Sequence, residues 1–426
     1  MAPYVRLWVA LACVHGSAGL RCESRLADGS CLWLYFHLYY SPVLYADDTS
    51  SQKALLTAFL VHYLKMSIPA SNFLGLLQVN QRHGRLSGKK FADHLRRDFG
   101  IRHLRLVFTG RSTSNRDLEL FGWSLLREHT RDEDWIIKAD VDEFHAFPPL
   151  AGMVQNSTFD AHAYFNALNK AGVNVVNGFL VDRLASDARL RVVRPTSVAD
   201  GIMDQFPLLC SVTANWRQSD VRKVVAYKAF IRTPSSHHHA YGIDELLSPC
   251  NITRSCFGAD RPRVPIQGEA KFQPVHLREC GRSARHWYHV LRRKLGREAF
   301  DLMPFKTHGR LPILKPLRAF ATCFHLKWHS GLWALQSEAS SFGGHHLPQH
   351  FSEKEFRAFV LSSCLPPKAS GDAALSSQEM AVVFNYHEAA GNNVAGWWGV
   401  LVNLQVNHFC NGLYDMPHLK HITSPL

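Results

Sequence analysis

A chain of 426 residues, 46% hydrophobic and 19% charged, carries enough apolar surface to bury a core in one large domain or two, which excludes a disordered protein. Lysine and arginine outnumber aspartate and glutamate by 48 to 35, and 25 histidines add positive charge at mildly acid pH, so anionic partners are favoured. The basic residues gather in RHGRLSGKK (82–90), HLRRDFGIRHLR (94–105) and LRRKLGR (291–297), which read as solvated helix faces. No nucleic-acid motif accompanies them; nucleotide phosphates or anionic glycans suit the charge equally well.

In chain order, Arg6, an apolar stretch from Leu7 to Val14 and the small residues Ser17, Ala18 and Gly19 lay out a signal peptide or signal anchor over residues 1–19. That stretch is short for a bilayer span, so membrane association is expected only if the segment stays as an anchor. The run CLWLYFHLYYSPVLY (31–45) contains His37, Pro42 and four tyrosines and reads as a buried strand and turn. Residues 20–49 are set apart as an N-terminal extension. Ten cysteines without a CxxC pair favour disulfides over a structural zinc site, with one thiol left over once Cys13 leaves with the leader. Cys250 and Cys256 bracket a loop that could close, and Asn156-Ser-Thr and Asn251-Ile-Thr are N-glycosylation acceptors. Together these features place the protein in the endoplasmic reticulum or Golgi lumen, or outside the cell.

From residue 50 the segments alternate. Helical stripes at 50–68, 89–100 and 115–130 are interleaved with strand-like runs at 73–79, 103–110 and 134–140, which predicts a mainly parallel sheet covered by helices over 50–150. Beyond 150 the rhythm changes to strands with polar interruptions at 171–185, 207–216 and 221–232, then a long loop at 233–285 and a helix at 286–303. Residues 151–335 form a second half. A C-terminal extension, 336–426, holds a helix at 351–363 and the apolar stretch 396–409.

The stretch DWIIKADVDEFHAF (134–147) ends an apolar strand with Asp140, Asp142 and Glu143. On a continuing strand the two aspartates share one side, with Val141 turned into the core. Carboxylates this close resist burial unless a cation joins them, and a hard divalent ion, Mn²⁺ or Mg²⁺, resolves the conflict while leaving sites for a diphosphate. In open α/β sheets this carboxyl edge is where ligands bind.

These residues resemble glycosyltransferase-family-2-like enzymes of the GT-A fold, in the branch whose motif runs D-W-x-x-x-x-D-x-D-E-F. GFLVDRLASDARL (178–190), DQFPLL (204–209), KVVAYKAF (223–230), HHHAYG (237–242) and FHLKWHSGL (324–332) resemble the same branch in the same order, over roughly 50–335. The resemblance implies an α/β fold in which a Rossmann-like nucleotide-sugar-binding sheet, 50–150, merges with a mixed acceptor-binding half. It implies that Asp140 and Asp142 hold the metal and the donor diphosphate, and that Glu143 either assists or holds the loop. Lys223, Lys228, Lys327 and Arg183 are candidate cations for the diphosphate, and His237, His239 or His325 a further metal ligand, with His239 and His325 preferred. Asp182 beside Arg183 reads as a structural pair or a ligand binder, while Asp187 and Asp204 are unranked candidates for the base of an inverting transfer. The expected partners are a nucleotide-sugar and a glycan or glycoprotein acceptor. A glycan-binding or metal-binding protein without catalysis and a metal-dependent phosphoesterase are the competing readings.

Overall fold

The first strand of the molecule's main sheet in chain order is β1 (Leu32–Tyr40), whose sequence LWLYFHLYY is apolar enough to be buried on both faces. The computed structural model describes residues 22–231 apart from 43, 46–50, 81, 83, 110–114, 149, 151–158, 196–200, 211 and 216–221, together with 243–244, 275–276, 310–311, 313–315, 317, 321–330 and 353–364. β1 pairs in parallel with β2 (Phe73–Asn80) on one side and β4 (Trp135–Asp140) on the other, and β2 pairs in parallel with β3 (His103–Thr109). The span 20–49, expected to be an extension, thus supplies an inner strand of the parallel half of the sheet, and the acidic motif ends the fourth strand. The reason is compositional: a strand flanked on both edges by parallel neighbours and on both faces by helices reads as a continuous apolar run.

Three helices cover this half: α1 (Ser51–Lys65), α2 (Arg85–Phe99) and α3 (Asn115–His129). α2 buries Gly88, Ala92 and Leu95, at the spacing of one helical face, and turns its basic residues outward. There Arg96 pairs with Asp93 and Arg97 with Asp98, so this patch is a solvated face, as its spacing suggested. Gly100 ends α2 at φ 72°, a left-handed conformation in which its N–H caps the carbonyls of Arg96 and Leu95. No helix among the described residues is long and apolar enough to cross a membrane.

The second half is mixed. β5 (Glu143–Ala146) follows β4 after a two-residue turn, α4 (Ala161–Lys170) follows, and then β6 (Val175–Leu184), the short helix α5 (Ile202–Gln205), β7 (Leu208–Cys210), the short helix α6 (Val212–Asn215) and β8 (Arg222–Lys228). The last sheet strand is β9 (Ala321–His325). The order is β3-β2-β1-β4-β8-β6-β9-β5, with β7 attached to β6. β8 runs antiparallel to both β4 and β6, β9 parallel to β6, and β5 antiparallel to β9. This is the Rossmann-like α/β sheet merged with a mixed half that was expected of a GT-A fold. The chain walks outward from β1 to β3 and then returns to lay β4 on the opposite side of β1, which makes the carboxyl ends of β1 and β4 a topological switch point.

α4 was not anticipated, although Ala161, Tyr164, Phe165 and Leu168 are buried at helical spacing and the Asp160 side chain caps the N–H groups of His162 and Ala163. Gly178 lies where β6, β8 and β9 are tightest: a Cβ there would sit 2.8 Å from the Ala321 carbonyl oxygen. From the segment expected as a C-terminal extension, α7 (Glu353–Ser363) buries Phe356 and Val360 against Leu184, Val212 and Trp328. A disulfide from Cys210 to Cys364 pins α7 beside β7, a second joins Cys22 to Cys31, and Cys323 is free and buried. The leader, both glycosylation acceptors, Cys250 and Cys256, the helix expected at 286–303 and the stretch 396–409 lie outside the described residues.

Candidate functional site

β4 opens with a carboxylate that is purely internal. Asp134, the first acid of the D-W motif, is buried and accepts from the Cys31 N–H at 2.8 Å, the Trp33 indole at 3.1 Å and the Arg131 N–H at 2.8 Å, tying β4 to β1. Six residues on, the strand stops at Asp140, and Val141 and Asp142 form the turn into β5. The two aspartates therefore do not share a continuing strand: Asp142 is delivered by the turn, with Val141 buried between them as expected.

Glu143 holds this turn. It is buried, its Oε2 accepts the Asp140 backbone N–H at 3.0 Å, and its Oε1 lies 2.5 Å from Lys223 Nζ. α1 braces the same residue from the other face, where the Tyr63 hydroxyl donates to the Glu143 carbonyl at 3.2 Å and Phe59 packs against Phe144. Lys223 also reaches Asp140 Oδ2 at 3.5 Å. Burial opposes the lysine's charge, yet Glu143 and Asp140 raise it above the usual lysine range; burial pushes the Glu143 carboxyl up while Lys223 pulls it back.

β9 brings in the histidine. His325 stands in register with Asp182 of β6 on one side and Glu143 of β5 on the other. Its Nδ1 is 2.8 Å from Asp182 Oδ1 and its Nε2 3.4 Å from Asp142 Oδ2. Burial alone would lower its basicity, but Asp142 and Asp182 outweigh that and push it up to about 9. Burial likewise works against the charge of Asp142, and His325 with Lys327 holds its carboxyl below the usual range. Asp182 is not the partner of Arg183: besides His325 it accepts from the Thr213 N–H and hydroxyl and from the Trp328 indole.

Exposure separates the carboxylates by role. Asp140 and Asp142 are 33% and 28% exposed, whereas Glu143 is at 2% and Asp182 at 0%, so only the aspartate pair meets solvent. Asp140, Asp142 and Glu143 offer oxygens within 4.8 Å of one another, but both oxygens of Glu143 are already engaged. Two carboxylates and one imidazole nitrogen are a donor set that suits Mn²⁺, and Mg²⁺ less well because of the nitrogen. A second group, Glu143, His145 and Cys323, is equally close but wholly buried, and with Glu143 committed to Lys223 it keeps only two donors.

The remaining candidates divide. Lys327 is half-buried and acts electrostatically on Asp142. Lys228 stands at the other end of β8, in register with Trp135, about 16 Å along β4 from Asp140. Arg183 is buried with its guanidinium 4.7 Å from the Phe324 ring centre and its Nε donating to the Phe206 carbonyl. Asp187 is paired with Arg191, and Asp204 is exposed on α5; among the described residues neither bonds to the acidic cluster. The stretch HHHAYG, with His237 and His239, lies outside the described residues. What sequence reasoning missed is the Asp182 network, because Thr213, His325 and Trp328 meet it only through strand pairing; the fixed G-x-x-x-D-R spacing was the available signal.

No protein-family model and no characterised protein sequence matches the chain. Among solved structures it is similar to a 4-diphosphocytidyl-2C-methyl-D-erythritol synthase, at 12% identity over 50% of this chain and 78% of that one with a TM-score of 0.23. It is similar also to S. aureus TarS 1–349, at 10% identity over 92% of this chain and 90% of that one with a TM-score of 0.24. At these scores neither likeness carries a functional argument, and the site rests on its own geometry.

Proposed function

We propose that this protein is a metal-dependent glycosyltransferase that moves a sugar from a nucleotide-sugar donor to a glycan or protein-linked acceptor in the secretory pathway, with inversion. The observation that carries the reading is the exposed pair Asp140 and Asp142 at the carboxyl edge of β4, beside the switch point and faced by His325. Asp140, Asp142 and His325 would hold Mn²⁺, which when bound supplies neutralisation of the diphosphate charge as the nucleotide leaves. Lys327, which acts electrostatically on Asp142, would meet a phosphate oxygen; Lys223 is a spacer that keeps Glu143 and Asp140 from repelling each other. Of the two base candidates we favour Asp204. Asp187 is held below the usual carboxyl range by the Arg191 guanidinium, and a base for a sugar hydroxyl needs the opposite. The two disulfides support an oxidising compartment.

The test is a melting experiment with and without Mn²⁺ and with UDP or GDP, followed by Mn²⁺-dependent turnover of a panel of nucleotide sugars. Wild type should gain stability from Mn²⁺ plus nucleotide, since a ligand of the folded state alone raises the melting temperature. Asp142→Asn should lose that gain and all turnover. An undiminished response in Asp142→Asn would refute the assignment, cleavage of phosphodiesters instead of sugar transfer would favour a phosphoesterase, and binding without turnover a non-catalytic protein.

A further inference from the structure

A fully buried carboxylate is costly unless donors surround it, and those around Asp182 are arranged with a direction. Oδ2 takes the Thr213 N–H at 2.5 Å; Oδ1 takes the Thr213 hydroxyl at 2.7 Å, the Trp328 indole at 2.8 Å and His325 Nδ1 at 2.8 Å. Three of these four contacts fix the carboxylate, so the fourth aims it at the imidazole. Trp328 is itself held by Phe356 of α7, stacked at 5.3 Å. A carboxylate only accepts, so Nδ1 must carry a proton, and the ring is then turned with Nε2 facing Asp142.

We propose that Asp182 is a positioning residue that fixes His325 with Nδ1–H turned inward and Nε2 presented to the Asp140–Asp142 side as a nitrogen ligand for a divalent cation. This rests on the donor-site reading above. A carboxylate behind a ligating histidine both orients the ring and strengthens it as a donor, and loss of such a partner weakens metal affinity by roughly 10- to 100-fold. Asp182→Asn is the informative change because it is nearly isosteric. His325 shares Oδ1 with the Trp328 indole and the Thr213 hydroxyl, so an amide that keeps its oxygen on those donors still accepts from Nδ1 and turns its NH₂ to the Thr213 N–H; what it removes is the negative charge behind the ring that strengthens Nε2 as a donor.

The experiment uses the full chain and three measurements. Mn²⁺ affinity by titration should weaken roughly 10- to 100-fold in Asp182→Asn while the metal-free melting temperature marks the variant as folded. Electron spin-echo spectra of bound Mn²⁺ should show nitrogen coupling in wild type that vanishes in His325→Gln. Nitrogen NMR of the metal-free chain at pH 10, with the His325 signals assigned by their loss in His325→Gln, should show Nδ1–H in wild type. In the His325→Gln background, Asp182→Asn should cost no further Mn²⁺ affinity. Wild-type Mn²⁺ affinity in Asp182→Asn, no nitrogen coupling in wild type, or additive losses in the double variant would overturn the proposal. Should Asp182→Asn fail to fold, the wild-type spectra still decide, because an Nε2–H form at pH 10 contradicts the assigned orientation and Nδ1–H supports it. A wild-type chain that takes up no Mn²⁺ but shows Nδ1–H would defeat the donor-site reading and leave the orientation standing.

Discussion

Lys223 and Lys228 leave the same strand, β8, and both are buried, yet their ammonium groups are driven in opposite directions. Burial at Lys228 wins over Asp28, Asp134 and Glu133 and lowers it to about 8, while at Lys223 two carboxylates overturn burial and raise it. The difference lies in what each end of the neighbouring β4 has for partners. At the Trp135 end Asp134 is saturated by fixed donors, and Lys228 is left with the Glu133 carbonyl at 2.7 Å and Asp28 at 3.9 Å. At the Asp140 end three carboxylates lie together, with Lys223 on Asp140 and Glu143 and His325 on Asp142. One end is a closed structural knot; the other keeps two aspartates partly open to solvent, which is what a site for a cationic ligand requires.

The sharpest way to break this comparison is to remove the two lysines in turn. Lys223→Met strands Glu143 against Asp140 and should cost about 3–5 kcal/mol in urea unfolding at pH 7. A loss under about 1 kcal/mol would show that Glu143 and Asp140 are not held together by this lysine.

The pH dependence of stability, measured by urea unfolding in EDTA, should carry two opposite slopes, each on the order of 3 kcal/mol in total. His325 is raised from 6.5 to about 9, so its stabilisation is complete below pH 6.5 and is lost as pH rises through 9. Lys228 is lowered from 10.5 to about 8, so the unfolded chain binds the extra proton between those values and stability recovers as pH climbs from 8 to 10.5. His325→Gln should flatten the fall and Lys228→Met the recovery. A slope untouched by its own substitution would refute that assignment.

Gly178 lies in register with both Lys223 and Ala321, so Gly178→Ala should push β9 away from β6 and cost about 1–3 kcal/mol, with a measurable loss of the Mn²⁺ melting shift. An intact Mn²⁺ response in a destabilised variant would separate the packing of β9 from the geometry of His325. The smallest effect is expected for Lys228→Met, within about 1 kcal/mol at pH 7, because an apolar side chain of similar length suits that pocket and leaves no buried carboxylate alone.

Much of the parallel half could be read from sequence, because each of its strands and helices announces itself by local period: the apolar runs of β2 and β4 and the stripe of α2 need no distant partner. The pair Asp140 and Asp142 was legible for the same reason, being adjacent in sequence to the end of a strand. The roles of Glu143, Lys223 and Asp182 were not, since each is decided by a residue on another strand; Lys223 and Lys228 look alike in KVVAYK until β8 is laid antiparallel to β4. β1 was recognised as a strand, but its place between β2 and β4 is a fact of pairing that no stretch of nine residues contains.

The Cys210–Cys364 bond gives this architecture a built-in record of its own completion. The chain it encloses includes β8 and β9, and the helix it fastens is the one whose Phe356 backs Trp328. A nascent chain displays Asp140 and Asp142 long before His325 or α7 has been synthesised, and at that stage the two carboxylates have neither an orienting histidine nor a wall behind it. Molecules carrying this bond have α7 tethered beside the Asp182 network, so in biosynthesis the mature site and the oxidised pair should appear together, and thiol trapping followed by a non-reducing gel would sort finished molecules from unfinished ones.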